Sequence, residues 1–384
     1  MESFIDCISC CEPTSLPQLL QQSNDQRMQT LTTLTTIVLK SFSSKCVWGM
    51  KRCYNCRNLK LVGMAEADFY SCICNLPSIT DAWTLQHGQG YVIESVSIDS
   101  CVICQEAYEA LYHCFNCSCF SSLKHFSLRP MDKSKGARMN EKQWQPICEY
   151  LKAGLCPHLE SISLSNNNIG HKGVNALVDA YLSGKMEKCI YLDLSGNSIG
   201  DKGAIALSRL FDHPFSCASL EVLDLSHNKI HSKGFDVFLS HFGSITHEHL
   251  RVINWSYNPL KGESVKTFFR IIEMNHCPQL QCINLSGIAM NSDVSATFAT
   301  MIRSGTFAHL EELHLAECSL NLDSIKHLCN AIVDMPLQLL HTLSLAQNRL
   351  NPACICALCC ILQKQQLPSL RELDLSSNKV GNEG

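Results

Sequence analysis

The most regular feature of the chain is a short hydrophobic motif that recurs eight times between residue 159 and the end of the sequence. Apolar residues stand at its first, fourth and sixth positions, and asparagine usually follows at the ninth. The motifs begin at Leu159, Cys189, Leu220, Leu250, Leu280, Leu310, Leu340 and Leu370, which are 30 or 31 residues apart. A period this regular predicts repeating structural units that stack on their neighbours and share a continuous core.

The first half of each unit alternates apolar and polar residues and therefore predicts a short, half-buried strand. In the motif LESISLSNN, Ile162 and Leu164 alternate with serines. The chain must turn after the strand, and a ninth-position asparagine has the donors and the acceptor that a buried turn requires. Cys318 takes this position in the sixth motif and can replace asparagine only weakly. Ile288 takes it in the fifth motif and cannot, so we expect an irregular turn there.

The second half of each unit has the spacing of a helix. An apolar residue at the nineteenth position and another four residues later share one helical face, which we expect to turn toward the strands. The nineteenth-position residues are Leu177, Leu207, Phe238, Phe268, Phe298, Leu328 and Leu358. Their partners are Tyr181, Phe211, Phe242, Ile272, Ile302, Ile332 and Leu362. A fifteenth-position glycine is expected just before the helix, as Gly173, Gly203, Gly234 and Gly384.

The resulting frame, LxxLxLxxNxLxxxGxxxL, resembles the ribonuclease-inhibitor-like class of leucine-rich repeat proteins, and it covers residues 159–384. The resemblance implies an α/β fold, a leucine-rich repeat solenoid (horseshoe) with parallel strands on the concave face and helices on the convex face. It also implies an intracellular protein, because this class is typically intracellular. In such solenoids the exposed strand face binds other proteins.

The repeats continue upstream with weaker motifs. Units start at Ile93 and Leu123, and the second contains a polar insertion at residues 130–140 that we expect to be a loop. Earlier degenerate units would contain Leu34, Ile37 and Leu39, and then Leu59, Val62 and Met64. We therefore predict a Cys-rich N-terminal region at residues 1–90, made of degenerate repeats or a cap, and a leucine-rich repeat domain of about ten units at residues 91–384. Because the last unit stops at Gly384, before its helix, we expect the natural chain to be longer.

Composition narrows the class of protein. The 384 residues are 46% hydrophobic and 17% charged, as expected for a folded chain, and the net charge of −4 is too small to favour nucleic acid as a partner. The sequence has neither a run of 18 apolar residues nor the start of a secretory signal, so no membrane span is predicted. The chain has 25 cysteines, which is an odd number, and the sequence shows no export signal, so a disulfide framework of a secreted protein is not expected. Reduced thiols and a cytoplasmic location are therefore expected.

The strongest candidate for chemistry is a pair of CxxC motifs, Cys101 with Cys104 and Cys114 with Cys117, a spacing that can bind zinc. The repeat frame instead places the first pair at a turn and the second on a helix, too far apart to share one ion. We therefore expect core or surface thiols and no metal. A weaker zinc candidate of the same kind consists of Cys53, Cys56, Cys72 and Cys74.

Other signatures of chemistry are weak or missing. The run His247-Glu248-His249 has metal-binding side chains, but it lies in the connection before a strand and is expected to be a solvated loop. The sequence lacks a phosphate-binding glycine loop, a GxSxG elbow, an HExxH motif and a dinucleotide fingerprint. We therefore predict that the chain is not an enzyme and has no cofactor.

The predicted binding surface is the concave wall, formed by positions 3, 5, 7 and 8 of each unit. Position 7 is uniformly small, which leaves the wall open to a partner's side chains, while larger and acidic groups lie beside it. The candidate partner-binding residues are Tyr191, Asp193, Asp224, His227, Asn254, Tyr257, Glu312, His314, Glu317 and Asp374. Asp193 and Asp224 favour a basic partner segment, although each aspartate also fits the ordinary consensus of the class.

These features predict a protein-protein interaction scaffold that binds an unidentified partner protein on the strand face. The alternative is a regulator of another enzyme, because the same class of repeats occurs in Ran-type GTPase activators and in regulators of actin capping. The acidic C-terminal tail usual in Ran activators is absent from this sequence. Fold resemblance alone does not separate these functions.

Overall fold

A computed structural model of the protein describes residues 36–39, 57–87, 92–101, 103–130, 138–212 and 218–381. The chain forms two compact units, one of residues 1–169 with 179–189 and one of residues 170–178 with 190–384. Several sequence expectations lie outside the described residues, namely those on Leu34, Cys53, Cys56, Gly384 and residues 131–137 of the predicted loop.

The first unit alternates parallel strands with helices. Its strands are β1 (Thr36–Leu39), β2 (Asn58–Val62), β3 (Ser95–Cys101), β4 (His125–Pro130) and β5 (Ser161–Ser163). Each strand pairs in parallel with the next along the chain. Its helices are α1 (Glu66–His87), α2 (Gln105–Asn116) and α3 (Glu141–Lys152). The division between the units falls within helix α4 (Gly170–Leu182).

The second unit repeats this arrangement with shorter strands. They are β6 (Tyr191–Asp193), β7 (Val222–Asp224), β8 (Val252–Asn254), β9 (Cys282–Asn284), β10 (Glu312–His314), β11 (Thr342–Ser344) and β12 (Glu372–Asp374). The helices between them are α5 (Gly200–Ser208), α6 (Ser232–Phe242), α7 (Gly262–Glu273), α8 (Ser292–Arg303), α9 (Leu322–Asp334) and α10 (Pro352–Gln363). Neighbouring strands are again parallel, so the predicted strand–helix unit is confirmed.

Strand pairing joins equal positions of successive units. Leu192 pairs with Leu223, which is the fourth position in both motifs, and the fifth-position residues Asp193 and Asp224 pair beside them. Leu192 and Leu223 are buried, as the alternation predicts. Each motif position therefore forms a row of side chains that runs across the sheet of its unit.

The ninth-position asparagines hold the turns together as predicted. The Asn228 amide donates to the carbonyl oxygens of Leu194 in the preceding motif (2.8 Å) and Leu225 in its own motif (3.1 Å). Its side-chain oxygen accepts hydrogen bonds from the backbone N–H groups of Asn197 and Ile199. One fully buried side chain thus satisfies backbone groups in two consecutive turns.

The turn next to Ile288 differs, as the sequence predicts. The backbone N–H of Leu260 faces the position that Ile288 fills, and it bonds to the carbonyl oxygen of Asn258 instead of a side-chain oxygen. One unit further on, the thiol of Cys318 donates to the carbonyl oxygen of Leu285 at 3.2 Å. The backbone of Cys318, and not its side chain, accepts the hydrogen bond from Met290. Cysteine therefore replaces only part of the asparagine's role.

The helices turn their predicted apolar face inward, with one exception. All seven nineteenth-position residues, Leu177, Leu207, Phe238, Phe268, Phe298, Leu328 and Leu358, are buried. Of the residues four positions later, Leu362 is 37% exposed, so its predicted burial is wrong. It lies near the end of α10, and no helix follows α10 among the described residues to cover it. Ile361 is buried in its place.

The three described fifteenth-position glycines, Gly173, Gly203 and Gly234, lie inside their helices near the N-terminus, so the prediction that they precede the helix is wrong for them. Their role is close packing. A Cβ on Gly234 in α6 would come within 2.5 Å of the Cα of Asp201 in α5. A Cβ on Gly203 would come within 1.9 Å of the Ile199 side chain. Glycine at this position therefore lets successive helices of the second unit approach each other closely.

The earliest described repeats follow the frame with one correction. The motif predicted on Leu59 and Val62 is displaced by three residues, because Leu59 pairs with Val96 and therefore occupies the fourth position. Leu59 and Leu61 point inward, whereas Val62 is half-buried. Ile37 and Leu39 of the preceding strand are buried as predicted. None of the helices in the described part of the chain combines the length and apolar character needed to cross a bilayer.

Candidate functional site

The candidate site is the strand face of the second unit, defined here as positions 3, 5, 7 and 8 of the motifs in β6–β12. Its position-7 row consists of Ser195, Ser226, Ser256, Ser286, Ala316, Ala346 and Ser376. Most of these small side chains are covered, for example Ser256, which is 3% exposed. The small side chains of this row lie between those of position 5 and the larger side chains of position 8.

Most side chains of the position-5 row accept hydrogen bonds from the backbone of their own turn. Asp193 accepts a hydrogen bond from the N–H of Ser195 at 2.9 Å, two residues further on. The equivalent bonds are made by Asp224 to Ser226, Asn254 to Ser256, Asn284 to Ser286 and Asp374 to Ser376. A short polar side chain that bonds to the backbone two residues on stabilises the start of a turn. These aspartates are therefore explained structurally, whatever they also contact on a partner.

The Asp224 carboxyl group is half-buried in the middle of this row. Burial raises the pKa of the Asp224 carboxyl above its ordinary value, and the neighbouring Asp193 adds to the rise. The N–H of Ser226 and the side-chain amide of Asn254, which donates at 2.8 Å, oppose it. At Asp374, by contrast, the hydrogen bonds from Ser376 lower the pKa. The middle of the row thus holds its negative charge less readily than the end.

The position-8 row carries side chains on left-handed backbone. His227 and Tyr257 both have φ +54° and Glu317 has φ +56°, a conformation uncommon for residues other than glycine. The rings of His227 and Tyr257 stack with centroids 4.3 Å apart and planes 12° apart. The Tyr257 ring then passes over Gly287, where a Cβ would lie 2.6 Å from a ring carbon. Burial and the neighbouring Glu317 raise the pKa of Tyr257.

His227, Tyr257 and Glu317 belong to three different repeats and lie along one edge of the strand face. Tyr257 remains 38% exposed. A groove of about 780 Å³ opens beside it and is also lined by Glu317 and Gln347. An ordered aromatic ring next to an open groove is the kind of surface that partner proteins contact most strongly.

Positions 3 and 5 of β9 and β10 bring three metal-binding side chains together. Cys282 pairs with Glu312 across the two strands, and His314 follows two residues after Glu312 on the same face. The Cys282 thiol lies 3.6 Å from Glu312 Oε2, and His314 Nε2 lies 3.2 Å from the same oxygen. Burial, with Glu312 adding to it, raises the pKa of the Cys282 thiol to about 12. All three side chains are half-buried.

The cysteine pairs that suggested zinc in the sequence do not converge. Cys101 is buried at the turn after β3, where its thiol faces the carbonyl oxygen of Asp99. Cys114 lies in α2 and donates to the carbonyl oxygen of Ile73. Within the ranges that the structure describes, the single group of three or more metal-binding side chains close enough to share an ion is Cys282, Glu312 and His314.

His247 corrects a second expectation. Glu248 and His249 are exposed as predicted, but His247 is only 8% exposed, so the expectation of a solvated loop is wrong for it. Its ring stacks on Phe242 with centroids 3.9 Å apart and bonds to the carbonyl oxygen of that residue. Burial lowers the pKa of His247 to about 4. It is a neutral core residue.

The structure places all ten candidate residues on the strand face of the second unit. Tyr191 and Glu312 lie at position 3 and His314 lies at position 5. His227, Tyr257 and Glu317 lie at position 8 and form one edge of the face. Asp193, Asp224, Asn254 and Asp374 make the backbone contacts described above. Sequence reasoning missed Cys282 and Gly287. Cys282 was detectable, because it stands 30 residues before Glu312 and therefore at the same motif position.

Comparison with known proteins agrees with the repeat architecture. The family described as Leucine Rich repeat matches residues 155–178, 190–208, 216–237 and 366–384. No curated protein matches the chain. Together with the alternation of parallel strands and helices, the family match identifies an α/β leucine-rich repeat solenoid.

Solved structures with a similar chain path share little sequence with this protein. An internalin from Listeria monocytogenes is 15% identical with a TM-score of 0.43, covering 91% of this chain and 89% of its own. A chain of the Rad7 and Elc1 complex in yeast is 14% identical with a TM-score of 0.46, covering 91% of this chain and 72% of its own.

Proposed function

We propose that the protein is a non-enzymatic interaction scaffold and that the strand face of its second unit binds a partner protein through a basic, extended segment. The observation that carries the proposal is the edge of His227, Tyr257 and Glu317. A stacked pair of rings next to an open groove presents a large contact area at little cost in side-chain entropy, because neighbouring residues already hold the rings.

The charge of the strand face supports a basic partner. Positions 3, 5, 7 and 8 of the seven motifs in β6–β12 contain no lysine or arginine. Their acidic residues are Asp193, Asp224, Glu312, Glu317, Glu372 and Asp374. Such one-sided charge favours encounter with lysine- and arginine-rich segments and disfavours acidic ones. The raised pKa of Asp224 reduces its own share of this field, whereas the lowered pKa of Asp374 keeps that carboxyl group charged.

The central experiment compares partner capture from a cell extract by the wild type and by the double variant Tyr191→Ala/Tyr257→Ala. We expect specific partners to bind the variant more weakly by about tenfold or more, since buried aromatic contacts are often worth more than about 1.4 kcal/mol each. The matched control is Ile205→Ala/Val333→Ala on helices α5 and α9, whose side chains are 37% and 39% exposed. This control should capture partners like the wild type.

Two results would contradict the proposal. Equal capture by the wild type and the tyrosine variant would show that the strand face is not the binding surface. Thermal unfolding of the tyrosine variant that collapses together with binding would make the tyrosines structural residues. The basic character of the partner is tested separately with lysine-rich and glutamate-rich peptides of equal length, of which only the former should compete, and less well at high salt.

The alternative function, regulation of another enzyme, is separated by a turnover assay. In the presence of a pure scaffold, a small GTPase would hydrolyse its bound GTP at the intrinsic rate. Acceleration by amounts of this protein far below those of the GTPase would contradict the scaffold proposal.

We also propose that the repeats are of the ribonuclease-inhibitor-like class and that the protein acts in the cytoplasm. Residues 1–90 would form a Cys-rich N-terminal region of degenerate repeats or a cap, ahead of the leucine-rich repeat domain at 91–384. The repeat length of 30 or 31 residues supports the first point. The free cysteines of the described residues, such as Cys356 and Cys359, support a reducing compartment. Localisation of the tagged full-length protein by microscopy tests the second point.

A further inference from the structure

The cluster of Cys282, Glu312 and His314 has the composition of a zinc site. Zinc is bound in proteins by cysteine thiolate, histidine nitrogen and carboxylate oxygen, and the three appear here once each. The cluster depends on the repeat. Cys282 and Glu312 are neighbours because they hold the same position in successive units, and His314 lies on their face because side chains alternate along a strand.

Two of the three distances between donor atoms in the cluster match a tetrahedral ion. With Zn–S near about 2.3 Å and Zn–O and Zn–N near about 2.1 Å, two ligands of a tetrahedral zinc lie about 3.6 Å apart for sulfur and oxygen and about 3.4 Å apart for nitrogen and oxygen. The corresponding distances are 3.6 Å from Cys282 Sγ to Glu312 Oε2 and 3.2 Å from His314 Nε2 to the same oxygen. All three donor atoms lie within 4.8 Å of one another.

We propose that Cys282, Glu312 and His314 bind one Zn²⁺ ion on the strand face. Three ligands from the protein leave the fourth position of the ion open to solvent, as in zinc sites that exchange a ligand. The ion would add a positive charge among the acids of the face, and a thiol or imidazole of a docked protein could complete its coordination. Zinc binding by the isolated chain does not depend on the proposed scaffold function and is measured without any partner.

The test is a cobalt titration of the full-length, reduced protein, because Co²⁺ bound to a thiolate absorbs in the near ultraviolet and reports tetrahedral geometry in the visible. We expect Cys282→Ser to lose one thiolate contribution relative to the wild type. Glu312→Gln and His314→Gln should each weaken the apparent cobalt affinity by about tenfold or more, which is the lower end of what even outer-shell changes cost at metal sites. Added Zn²⁺ should displace the cobalt.

The matched control is His341→Gln. His341 lies on the neighbouring strand segment and faces Glu311 at 3.4 Å, so it is another histidine–glutamate pair, but one that is not part of the three-residue group. This control should titrate like the wild type. It also corrects for cobalt that binds to the other thiols, since the chain has 25 cysteines.

Three outcomes would overturn the inference. These are a Cys282→Ser spectrum identical to that of the wild type, full affinity in both Glu312→Gln and His314→Gln, or equal weakening by His341→Gln. Circular dichroism checks that each variant is folded. Cys282→Ala provides a second removal of the thiol should the serine variant fail to fold.

Discussion

His247 makes the stability of the second unit depend on pH, and removing it should abolish part of that dependence. The residue stands three positions before the motif that begins at Leu250, in a row that is otherwise apolar and buried. Its equivalents include Met186, Cys277, Phe307, Leu337 and Leu367. We therefore choose His247→Leu as the perturbation, because leucine already occupies this position in two other units.

The expected magnitude follows from the pKa. Burial lowers the pKa of His247 to about 4, and the neighbouring His276 acts in the same direction. An unfolded histidine has a pKa of about 6.5, so the unfolded state binds a proton first and the folded state loses stability as pH falls below about 6.5. The difference of about 2.5 units corresponds to about 3 kcal/mol once the pH is below about 4, with about 2 kcal/mol already lost at pH 5.

The assay is urea unfolding followed by circular dichroism at a series of pH values between 7 and 4. At pH 7 the leucine variant should be slightly less stable, by about 1 kcal/mol, because the carbonyl oxygen of Phe242 loses its hydrogen bond from the His247 ring. Below pH 6 the wild type should fall more steeply, and the two curves should cross. The control is His249→Gln, two residues away and exposed, which should leave the wild-type slope unchanged. Parallel curves for wild type and His247→Leu would refute the reasoning.

Two further predictions concern the turns. Asn228→Ala should lower the free energy of unfolding by about 3–5 kcal/mol, because several buried backbone groups lose their partners. Cys318→Ala at the same motif position should lower it by only about 1 kcal/mol. Denaturant midpoints measure both losses, and equal losses would contradict the role assigned to the ninth-position asparagines. Gly287→Ala should cost about 2 kcal/mol, since it adds a clash with the Tyr257 ring to the strain of a positive φ. Gly200→Ala, which has φ +62° and open space, should show the strain alone, and an equal loss in both variants would count against the clash.

The repeat period predicted most of the fold because burial acts on every unit in the same way. Inward residues such as Leu192 and Leu223, and the asparagine turns at Asn228, follow from alternation and from the need to satisfy buried backbone groups. The frame slipped by three residues at Leu59, where neither asparagine nor glycine marks the motif. The period alone also did not predict that Gly234 lies within its helix, since its reason is the approach of a neighbouring helix.

The site was harder to predict because a consensus residue and a functional residue look alike in one sequence. His247 was detectable, since aligning the residues three positions before each motif places it in an apolar row. The left-handed backbone at His227 and Tyr257 was not, because tyrosine rarely adopts that conformation and a single histidine does not specify it. The stack of their rings depends in turn on Gly287, whose missing side chain leaves room for the tyrosine.

The rows of the strand face differ in how far hydrogen bonds and packing limit their residue types. Position 5 carries aspartate or asparagine in five of the seven motifs of β6–β12, and those five bond to the N–H two residues further on, so their identity is limited by the turn. Position 7 is limited to small side chains. Positions 3 and 8 are not restricted to one residue type, and they range from valine and glycine to tyrosine, glutamate and histidine. Differences in partner preference between proteins with this repeat should therefore be encoded mainly at positions 3 and 8, where Tyr257, Cys282 and Glu312 stand.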